Sequence, residues 1–306
     1  MGGAMSALYT FLLIKKLGGE MALRIDDTNL SKSFTLSQES IKSSLKWMGI
    51  TWEKRPEFNQ SSRFDVYRQA AMILVNKGAA YPCFCSKERL EKLRSNNISN
   101  KRRLVYDNHC RKATNLSRMK SESFSIRLKN FPETVSFNDM VLGPKKFDSS
   151  EFGDIVLIKD DGSPTYNFAC AWDDISESIT HITRGSDHII NTPKQILIRN
   201  KFTSSSPSYA HFPLMSLSQH GRKMSKRDSS LSVDALKAQG ISALGLAYYL
   251  VNVGHKIKNP KKFNMQELIN KFDPRKIKNK VIYNHDNLIA MDRKVKEALN
   301  ETRVRN

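Results

Sequence analysis

Helical and strand-like patterns alternate from the start of this chain to about residue 217, and only helical patterns follow Val233. The stretch 4–17 has apolar residues at helical spacing, and Gly18-Gly19 ends it before the apolar, strand-like run Met21–Ile25. Helices that alternate with strands pack on the faces of a shared sheet. The pattern therefore predicts an α/β fold that is followed by an all-helical region.

The remaining elements are predicted in the same way. Further helices are predicted over Leu36–Met48, Phe64–Lys77, Thr192–Lys201 (with Thr192 as N-cap), Leu244–Val253, Met265–Phe272 and Leu288–Leu299. Strands are predicted over Asp154–Ile158, Ser178–Thr183 and Ala210–Leu217, and an exposed loop over Ser95–Lys112.

The strong positive charge of the chain limits its partners. Lys and Arg outnumber Asp and Glu by 50 to 30, which gives a formal net charge of +20. Such a surface attracts polyanions and favours nucleic acid over membrane lipid, although a lysine-rich solvated surface has the same charge. The apolar run Ala7–Ile14 is too short to span a bilayer, so no membrane partner is expected. Four unevenly spaced cysteines form no disulfide framework, which favours a reducing compartment, the cytoplasm or an organellar matrix.

A glycine-led basic segment, Gly221–Arg227, follows the apolar run that ends at Leu217. Its lysines, Lys223 and Lys226, stand three residues apart beside Ser225, and this set suits a triphosphate. Cations stabilise the charge that develops as pyrophosphate leaves, so Lys226 is the leading catalytic candidate and Lys223 the second. The alternative is a solvated basic turn, the usual interpretation of an arbitrary basic pentapeptide.

The same segment resembles the KMSKS loop of class I aminoacyl-tRNA synthetases. Four further blocks resemble, in order, those of glutamyl-tRNA synthetases: Arg24–Asn29, Ser163–Ala169, Thr180–Gly185 and Asn191–Leu197. The similarity extends over essentially the whole chain, and this many blocks in one order are far more specific than any single block. The chain thus resembles the glutamate and glutamine subfamily of these class I enzymes.

This resemblance implies a Rossmann-type catalytic domain that uses ATP and Mg²⁺ to form glutamyl-adenylate and then transfers glutamate to the 3′ end of tRNA. It implies that Arg184 binds the α-carboxylate of L-glutamate, a role for which a planar guanidinium is well suited, although a surface salt bridge is the alternative. Tyr166 would line the pocket, and Asp26, where the family usually has Glu, would hold the substrate ammonium group. The ATP-binding residues implied are Gly2, Gly3, Lys223, Met224, Ser225, Lys226 and Arg227.

The resemblance also divides the chain. Residues 1–232 would form the catalytic domain, with a connective insertion at about 81–177 that holds the acceptor end of tRNA, and residues 233–306 a helical stem-contact region. Met1–Ala4 resemble the tail of the family's HIGH-type motif, so we expect the first strand and that motif's histidine to be missing. We expect the anticodon-binding domain to be absent after Tyr283–Leu288. The partner would be tRNA-Glu, with tRNA-Gln left open, and the protein would be a monomer.

Three of the four cysteines, Cys83, Cys85 and Cys110, lie close together in the sequence. A structural zinc ion needs four ligands. In related bacterial enzymes a histidine follows two residues after the last cysteine, where this chain has Lys112. The resemblance leaves Tyr106, as in the shorter glutamyl-Q relatives, or His109 as the fourth ligand, while three thiols left over from a lost zinc site are an equal alternative.

Cys170, which follows Tyr166 in a predicted strand, is interpreted as a core residue and not as a nucleophile.

Two other functions remain open from the sequence. One is a glutamyl-Q tRNA-modifying synthetase, although that group typically has a degenerate KMSKS loop, whereas Lys223–Arg227 is intact. The other is a non-catalytic tRNA-binding remnant, which would bind tRNA with a steep salt dependence and catalyse no ATP–pyrophosphate exchange. Hydrolase and metalloprotease functions have no support, because the sequence has neither a Ser-His-Asp order nor a His-x-x-x-His pair.

Overall fold

The computed structural model describes residues 1–24, 26–27, 34–53, 59–100, 103–112, 116–217, 231–255, 257, 260 and 262–304. The helices within these residues are α1 Gly2–Lys16, α2 Phe34–Trp47, α3 Phe64–Asn76, α4 Lys87–Ser99, α5 Tyr166–Ser176, α6 Thr192–Arg199, α7 Val233–Ala238, α8 Ala243–Gly254, α9 Met265–Lys271 and α10 His285–Val304. The strands are β1 Ala80–Cys83, β2 Ser125–Leu128, β3 Thr134–Asp139, β4 Gly143–Asp148, β5 Val156–Ile158, β6 His181–Gly185, β7 Ser208–Phe212, β8 Met215–Ser216 and β9 Val281–Ile282.

The sheet that positions the candidate site has four strands in the order β4-β3-β7-β6. β6 and β7 run parallel, from His181 opposite Ser208 to Gly185 opposite Phe212. β3 is also parallel to β7, and β4 returns antiparallel to β3. α6 connects β6 to β7, as the crossover between parallel strands requires. Ligands of such sheets bind beyond the carboxyl ends of the parallel strands, so a ligand site is expected at the end of β6.

A second, antiparallel sheet has the order β1-β2-β5 and lies within the predicted insertion. Its apolar side chains share one core with helices α3, α5 and α6. Leu128 and Leu157 from this sheet, Leu74 from α3 and Phe168 from α5 are all fully buried there. This core holds α5 and α6 firmly beside the four-stranded sheet.

A larger core surrounds α1, which is apolar on most of its circumference, as a buried helix should be. Met5, Leu8 and Leu12 are fully buried against residues of the C-terminal helices. The buried hydroxyl of Tyr9 donates a hydrogen bond of 2.8 Å to the carbonyl of Leu250 in α8, so its polar atom has a partner. The C-terminal helices therefore complete the core of the N-terminal part.

Most helix predictions are confirmed, since α1, α2, α3, α6, α8, α9 and α10 lie close to the predicted ranges. The predicted N-cap of α6 was wrong: the helix begins at Thr192, and Asn191 precedes it without a side-chain cap. The hydroxyl of Thr192 instead contacts Arg184 and His211. The prediction of helices alone after Val233 was also wrong, because β9 pairs in parallel with β8.

Two predicted strands were wrong. Residues 21–24 of the run Met21–Ile25 form no strand, and the carbonyl of Met21 instead accepts a hydrogen bond of 3.0 Å from the amide of Glu53. Cys170 lies in α5 and not in a strand, because the helix begins directly at Tyr166.

The predicted loop Ser95–Lys112 was wrong in its first part, where α4 continues to Ser99. Ser86 caps this helix by accepting a hydrogen bond of 3.3 Å from the amide of Arg89. None of the side chains of α4 is buried, so the helix lacks the apolar stripe by which the sequence would reveal it. Among the described helices, none combines the length and the apolarity that a membrane crossing requires.

Candidate active site

A cavity of about 470 Å³ lies alongside β6, and the second half of α1, the segment 19–24 and both ends of α5 also line it. We call it the β6 cavity. Arg24, Asp26, Tyr166 and Arg184 all line it. Arg184, Tyr166 and Asp26, the three residues predicted to bind glutamate, are therefore brought together, although 158 positions separate Asp26 from Arg184 (184 − 26).

Arg184, the penultimate residue of β6, is held by two side chains behind the strand. Its Nη2 donates a hydrogen bond of 2.9 Å to Oγ1 of Thr192, and its Nε lies 3.3 Å from Nε2 of His211. Thr192 Oγ1 and His211 Nε2 are themselves 2.9 Å apart. Hydrogen bonds to Thr192 and His211 thus fix the guanidinium. The alternative interpretation predicts a surface salt bridge, and none is found for Arg184 among the residues that the structure describes.

Asp139, the last residue of β3, supports His211 from the other side. Its Oδ2 lies 2.6 Å from Nδ1 of His211, and its Oδ1 accepts hydrogen bonds from the amides of Val141 at 3.0 Å and Leu142 at 2.8 Å. Burial acts to raise the pKa of Asp139, but the hydrogen bonds from His211 and from these amides outweigh it and hold the pKa below its usual value. The carboxyl group is therefore ionised at neutral pH.

Arg24 forms a second cationic centre on the β6 cavity. No site role was predicted for this residue from the sequence. Its Nε donates to Oδ1 of Asp26 at 2.7 Å, and its Nη1 donates to Oδ1 of Asp174 at 2.7 Å. Asp26 is thus paired with an arginine of its own block. The contact leaves Oδ2 of Asp26 near the thiol of Cys170, at 3.6 Å.

Two neighbours of this centre are uncharged at neutral pH. Burial raises the pKa of the Cys170 thiol, which is 1% exposed, so the expectation that it is a core residue and not a nucleophile fits its surroundings. Burial likewise raises the pKa of Tyr166, whose hydroxyl lies 3.3 Å from Nδ1 of His188. Tyr166 therefore offers a ligand a neutral phenol.

The amino end of α1 carries the two glycines predicted to bind ATP, Gly2 and Gly3. A Cβ atom at either glycine would meet no atom of the described residues within 4 Å. The terminal ammonium of Met1 lies 3.5 Å from the carbonyl of Leu231. Lys223, Met224, Ser225, Lys226 and Arg227 lie outside the described residues, whereas Leu231, four positions after Arg227, is described.

The three predicted thiol ligands also come together. The ligand atoms of Cys83, Cys85 and Cys110 lie within 4.8 Å of one another, and Cys85 Sγ is 3.5 Å from Cys110 Sγ. Tyr106 Oη lies 3.4 Å from Cys83 Sγ and 3.2 Å from Cys85 Sγ, whereas His109 is not part of this group. We call these four residues the cysteine cluster.

The surroundings of the cysteine cluster raise the pKa of one thiol and lower that of another. Burial raises the pKa of Cys85 to about 11, and contacts with Cys110 and Cys83 add to the rise. Nη1 of Arg89 lies 3.4 Å from Cys85 Sγ. Burial acts to raise the pKa of Cys83, but hydrogen bonds from Tyr106, the Cys85 amide and Arg127 outweigh it and lower the pKa to about 7. Sulfur atoms bound at about 2.3 Å around a tetrahedral zinc ion are roughly 3.8 Å apart, so the observed spacing fits that ion.

The fold and the match of residues 1–289 to the family described as tRNA synthetases class I (E and Q), catalytic domain, define the class of this molecule. The chain belongs to that family. Among its curated relatives are two glutamate–tRNA ligases of Legionella pneumophila. The ligase of strain Paris is 36% identical over 308 residues and that of strain Corby 38% over 290 residues.

The chain is matched over 100% and 94% of its length by these two relatives and spans 64% and 61% of theirs. It thus covers less than two thirds of either relative.

Solved structures support the same fold. A glutamate tRNA ligase from Elizabethkingia meningosepticum, crystallised in complex with its amino acid, superposes with a TM-score of 0.82 at 23% identity, over 96% of this chain and 66% of that chain. A glutamate-tRNA synthetase from Elizabethkingia anophelis superposes with a TM-score of 0.81 at 23% identity, over 96% and 67%. The predicted fold class, a class I synthetase α/β catalytic domain, is therefore confirmed.

Proposed function

We propose that this chain carries the catalytic part of a glutamate–tRNA ligase. The carboxylate of L-glutamate attacks the α-phosphorus of ATP, which releases pyrophosphate and forms glutamyl-adenylate, and the glutamyl group then passes to the 3′-terminal ribose of tRNA with release of AMP. The observation that carries the proposal is that Arg184, Tyr166 and Asp26 line a single cavity. The names of the curated relatives support the choice of glutamate.

Within the β6 cavity, Arg184 would bind the α-carboxylate and Asp26 the ammonium group of glutamate. The guanidinium of Arg184 already donates through Nε and Nη2 to His211 and Thr192, so its fork has a fixed orientation before the ligand arrives. Such preorganisation lowers the cost of positioning the reacting carboxylate. The neutral hydroxyl of Tyr166 would complete the pocket.

ATP would lie at the amino end of α1, above Gly2 and Gly3, where the partial positive charge of a helix terminus favours phosphate. Support for this is the contact between Met1 and Leu231, because Leu231 lies five positions after Lys226 in the sequence. The two lysines, with Met224, Ser225 and Arg227, would contact the phosphates together with Mg²⁺ and stabilise the departing pyrophosphate.

Zinc in the cysteine cluster would be structural. Cys83, Cys85 and Cys110 would be ligands, and the position of Tyr106 between the sulfur atoms favours it over His109 as the fourth. The ion would fasten the end of β1 to the segment around Cys110, and so stiffen the insertion at about 81–177. We propose that this insertion contacts the acceptor end of tRNA and that residues 233–306 contact its stem, as the net charge of +20 allows.

The test is ATP–pyrophosphate exchange with the full chain, measured with L-glutamate and tRNA-Glu. We expect exchange that depends on L-glutamate and is lost in Lys226→Ala, with Lys77→Ala as a matched control because Lys77 is an exposed lysine at the end of α3. Exchange with glutamine or aspartate in place of glutamate, or none with any amino acid, would overturn the proposal.

Unchanged exchange in Lys226→Ala would overturn the role of that lysine alone. Transfer to tRNA is measured separately with tRNA-Glu and tRNA-Gln. Removal of the 3′-terminal adenosine of the tRNA should abolish it, whereas modification of an internal base, as by a glutamyl-Q enzyme, would survive.

A further inference from the structure

The side chains behind Arg184 form a buried hydrogen-bond network, in which the donor and the acceptor of each hydrogen bond can be assigned. It runs from Arg184 through Thr192 and His211 to Asp139. Thr192 and His211 have no exposed surface, and Asp139 is 2% exposed. Among the described residues, every member of this network other than the half-buried Arg184 is buried.

The two ends of this network have fixed roles. A guanidinium can only donate hydrogen bonds, and an ionised carboxylate can only accept them. Arg184 therefore donates to Oγ1 of Thr192, and Oδ2 of Asp139 accepts a proton from Nδ1 of His211 at 2.6 Å. Nε of Arg184 can only donate and lies 3.3 Å from Nε2 of His211, so this nitrogen is the unprotonated one, and it also accepts from the Thr192 hydroxyl.

We propose that His211 is a positioning residue for Arg184, and that Asp139 fixes the tautomer in which His211 presents an unprotonated Nε2 to the guanidinium. A proton on Nε2 would set two N–H donors against each other and push Arg184 away from its place in the β6 cavity. The inference rests on the proposed function, because it assigns to these residues the orientation of the glutamate carboxylate.

The contacts of Asp139 make the substitution Asp139→Asn a specific test of the His211 tautomer. Oδ1 of Asp139 accepts from the amides of Val141 and Leu142, whereas its Oδ2 faces Nδ1 of His211. The amide of His211 lies 3.2 Å from Oδ1 and 3.1 Å from Oδ2, so it adds a donor to both oxygens. In Asp139→Asn the amides hold the carbonyl oxygen at the Oδ1 position, so the NH₂ group must point at Nδ1. The imidazole then has to accept at Nδ1 and carry its proton on Nε2, as happens when the aspartate of a Ser-His-Asp triad is changed to asparagine.

Two substitutions of His211 separate its two nitrogens. His211→Gln keeps an acceptor near the position of Nε2 and gives up the donor to Asp139. His211→Asn keeps a donor near the position of Nδ1 and gives up the acceptor for Arg184. A purely structural role would make the two variants equally impaired, or would favour His211→Asn because it preserves the buried contact with Asp139.

The experiment measures glutamate KM, ATP KM and Tm for the full chain and the three variants, in the exchange assay with tRNA. We expect Asp139→Asn and His211→Asn to raise the glutamate KM by on the order of tenfold, the effect of losing one hydrogen bond to a charged group. The ATP KM should change by less than about twofold, and His211→Gln should stay closer to wild type. A wild-type glutamate KM in Asp139→Asn, or equal changes in both KM values, would overturn the inference.

A spectroscopic readout does not depend on catalysis. Long-range ¹H–¹⁵N spectra of histidine side chains distinguish the two tautomers, and the missing signal in His211→Gln assigns His211 among the 7 histidines. We expect the Nδ1–H tautomer in the wild type and the Nε2–H tautomer in Asp139→Asn, and an Nε2–H signal in the wild type would overturn the inference. Failure of the wild type to catalyse glutamate-dependent exchange would overturn the proposed function and leave the tautomer result standing.

Discussion

The network behind Arg184 and the cysteine cluster are both polar groups in apolar surroundings, but their polar atoms are satisfied in different ways. The network runs from a pure donor, Arg184, to a pure acceptor, Asp139, and is complete within the protein. In the cysteine cluster the thiols contact one another, the phenol of Tyr106 and the guanidinium of Arg89, and Cys85 Sγ is 3.5 Å from Cys110 Sγ. Thiols are weak donors and weak acceptors, so such contacts contribute little.

The difference has a physical consequence. A complete hydrogen-bond network stabilises one geometry and can hold a side chain ready for a ligand. A set of weakly paired thiols beside arginine gains much more from a cation that takes up their negative charge. The first arrangement is suited to positioning Arg184, and the second to binding an ion.

The largest expected effect comes from removing the donor end of the network. Arg184→Ala should lower kcat/KM for glutamate by at least about a hundredfold, because removing one partner of a buried charged contact costs about 3–5 kcal/mol. Arg184→Lys should recover little of this loss, since an ammonium group lacks the planar fork that meets both Thr192 and His211. Steady-state exchange kinetics over a range of glutamate concentrations would measure both effects.

Near-normal kinetics in Arg184→Lys would show that charge alone is sufficient and that the fixed fork has no role. The hydrogen bonds behind Arg184 would then contribute nothing to glutamate binding, whether or not the cysteine cluster binds zinc.

The next effect concerns the cysteine cluster. Wild-type protein should contain about one zinc ion per chain, and Cys85→Ser should contain almost none, because three ligands hold zinc much more weakly than four. Tm should fall by about 2–4 °C for each kcal/mol of binding energy lost. Elemental analysis and thermal unfolding measure these quantities, with Cys170→Ser as the matched control because Cys170 is a buried thiol outside the cluster.

A chelator tests whether the cysteine cluster and the β6 cavity act independently. Removing zinc should lower Tm but leave the glutamate KM unchanged, since the cysteine cluster shares no residue with the β6 cavity. Zinc-free wild-type protein with an unchanged Tm would show that the thiols are satisfied without an ion.

Periodicity and caps located most of the helices, because α1, α3 and α8 have apolar faces that the chain must bury. The same signal failed for α4, which has no buried side chain. The family motifs predicted Tyr166 and Arg184 as site residues, and both line the β6 cavity.

The supporting network could not be predicted, because Asp139 and His211 are 72 positions apart and lie in different strands. A signal did exist: His211 is a histidine inside the buried strand β7, and a buried imidazole needs partners for both nitrogens. The sequence alone does not show which distant carboxylate is the hydrogen-bond partner of one of these nitrogens. The predicted roles of Lys223 and Lys226 stay predictions, since both lie outside the described residues.

The smallest expected effect comes from the middle of the network. Thr192→Val keeps the shape of the side chain but removes the hydroxyl that accepts from Nη2 of Arg184 at 2.9 Å. Arg184 retains its contact with His211 at 3.3 Å, so the guanidinium should loosen without leaving its place. One hydrogen bond of this kind contributes about 1 kcal/mol, which corresponds to roughly a fivefold rise in glutamate KM at an unchanged ATP KM.

Thr192→Ser is the matched control, because it keeps the hydroxyl and loses only a methyl group, and its glutamate KM should stay within about twofold of wild type. The pair of variants separates hydrogen bonding from packing at a residue with no exposed surface. If serine and valine raise the KM equally, the methyl group and not the hydroxyl is what Arg184 depends on. The network would then be a packing arrangement, and its contrast with the cysteine cluster would disappear.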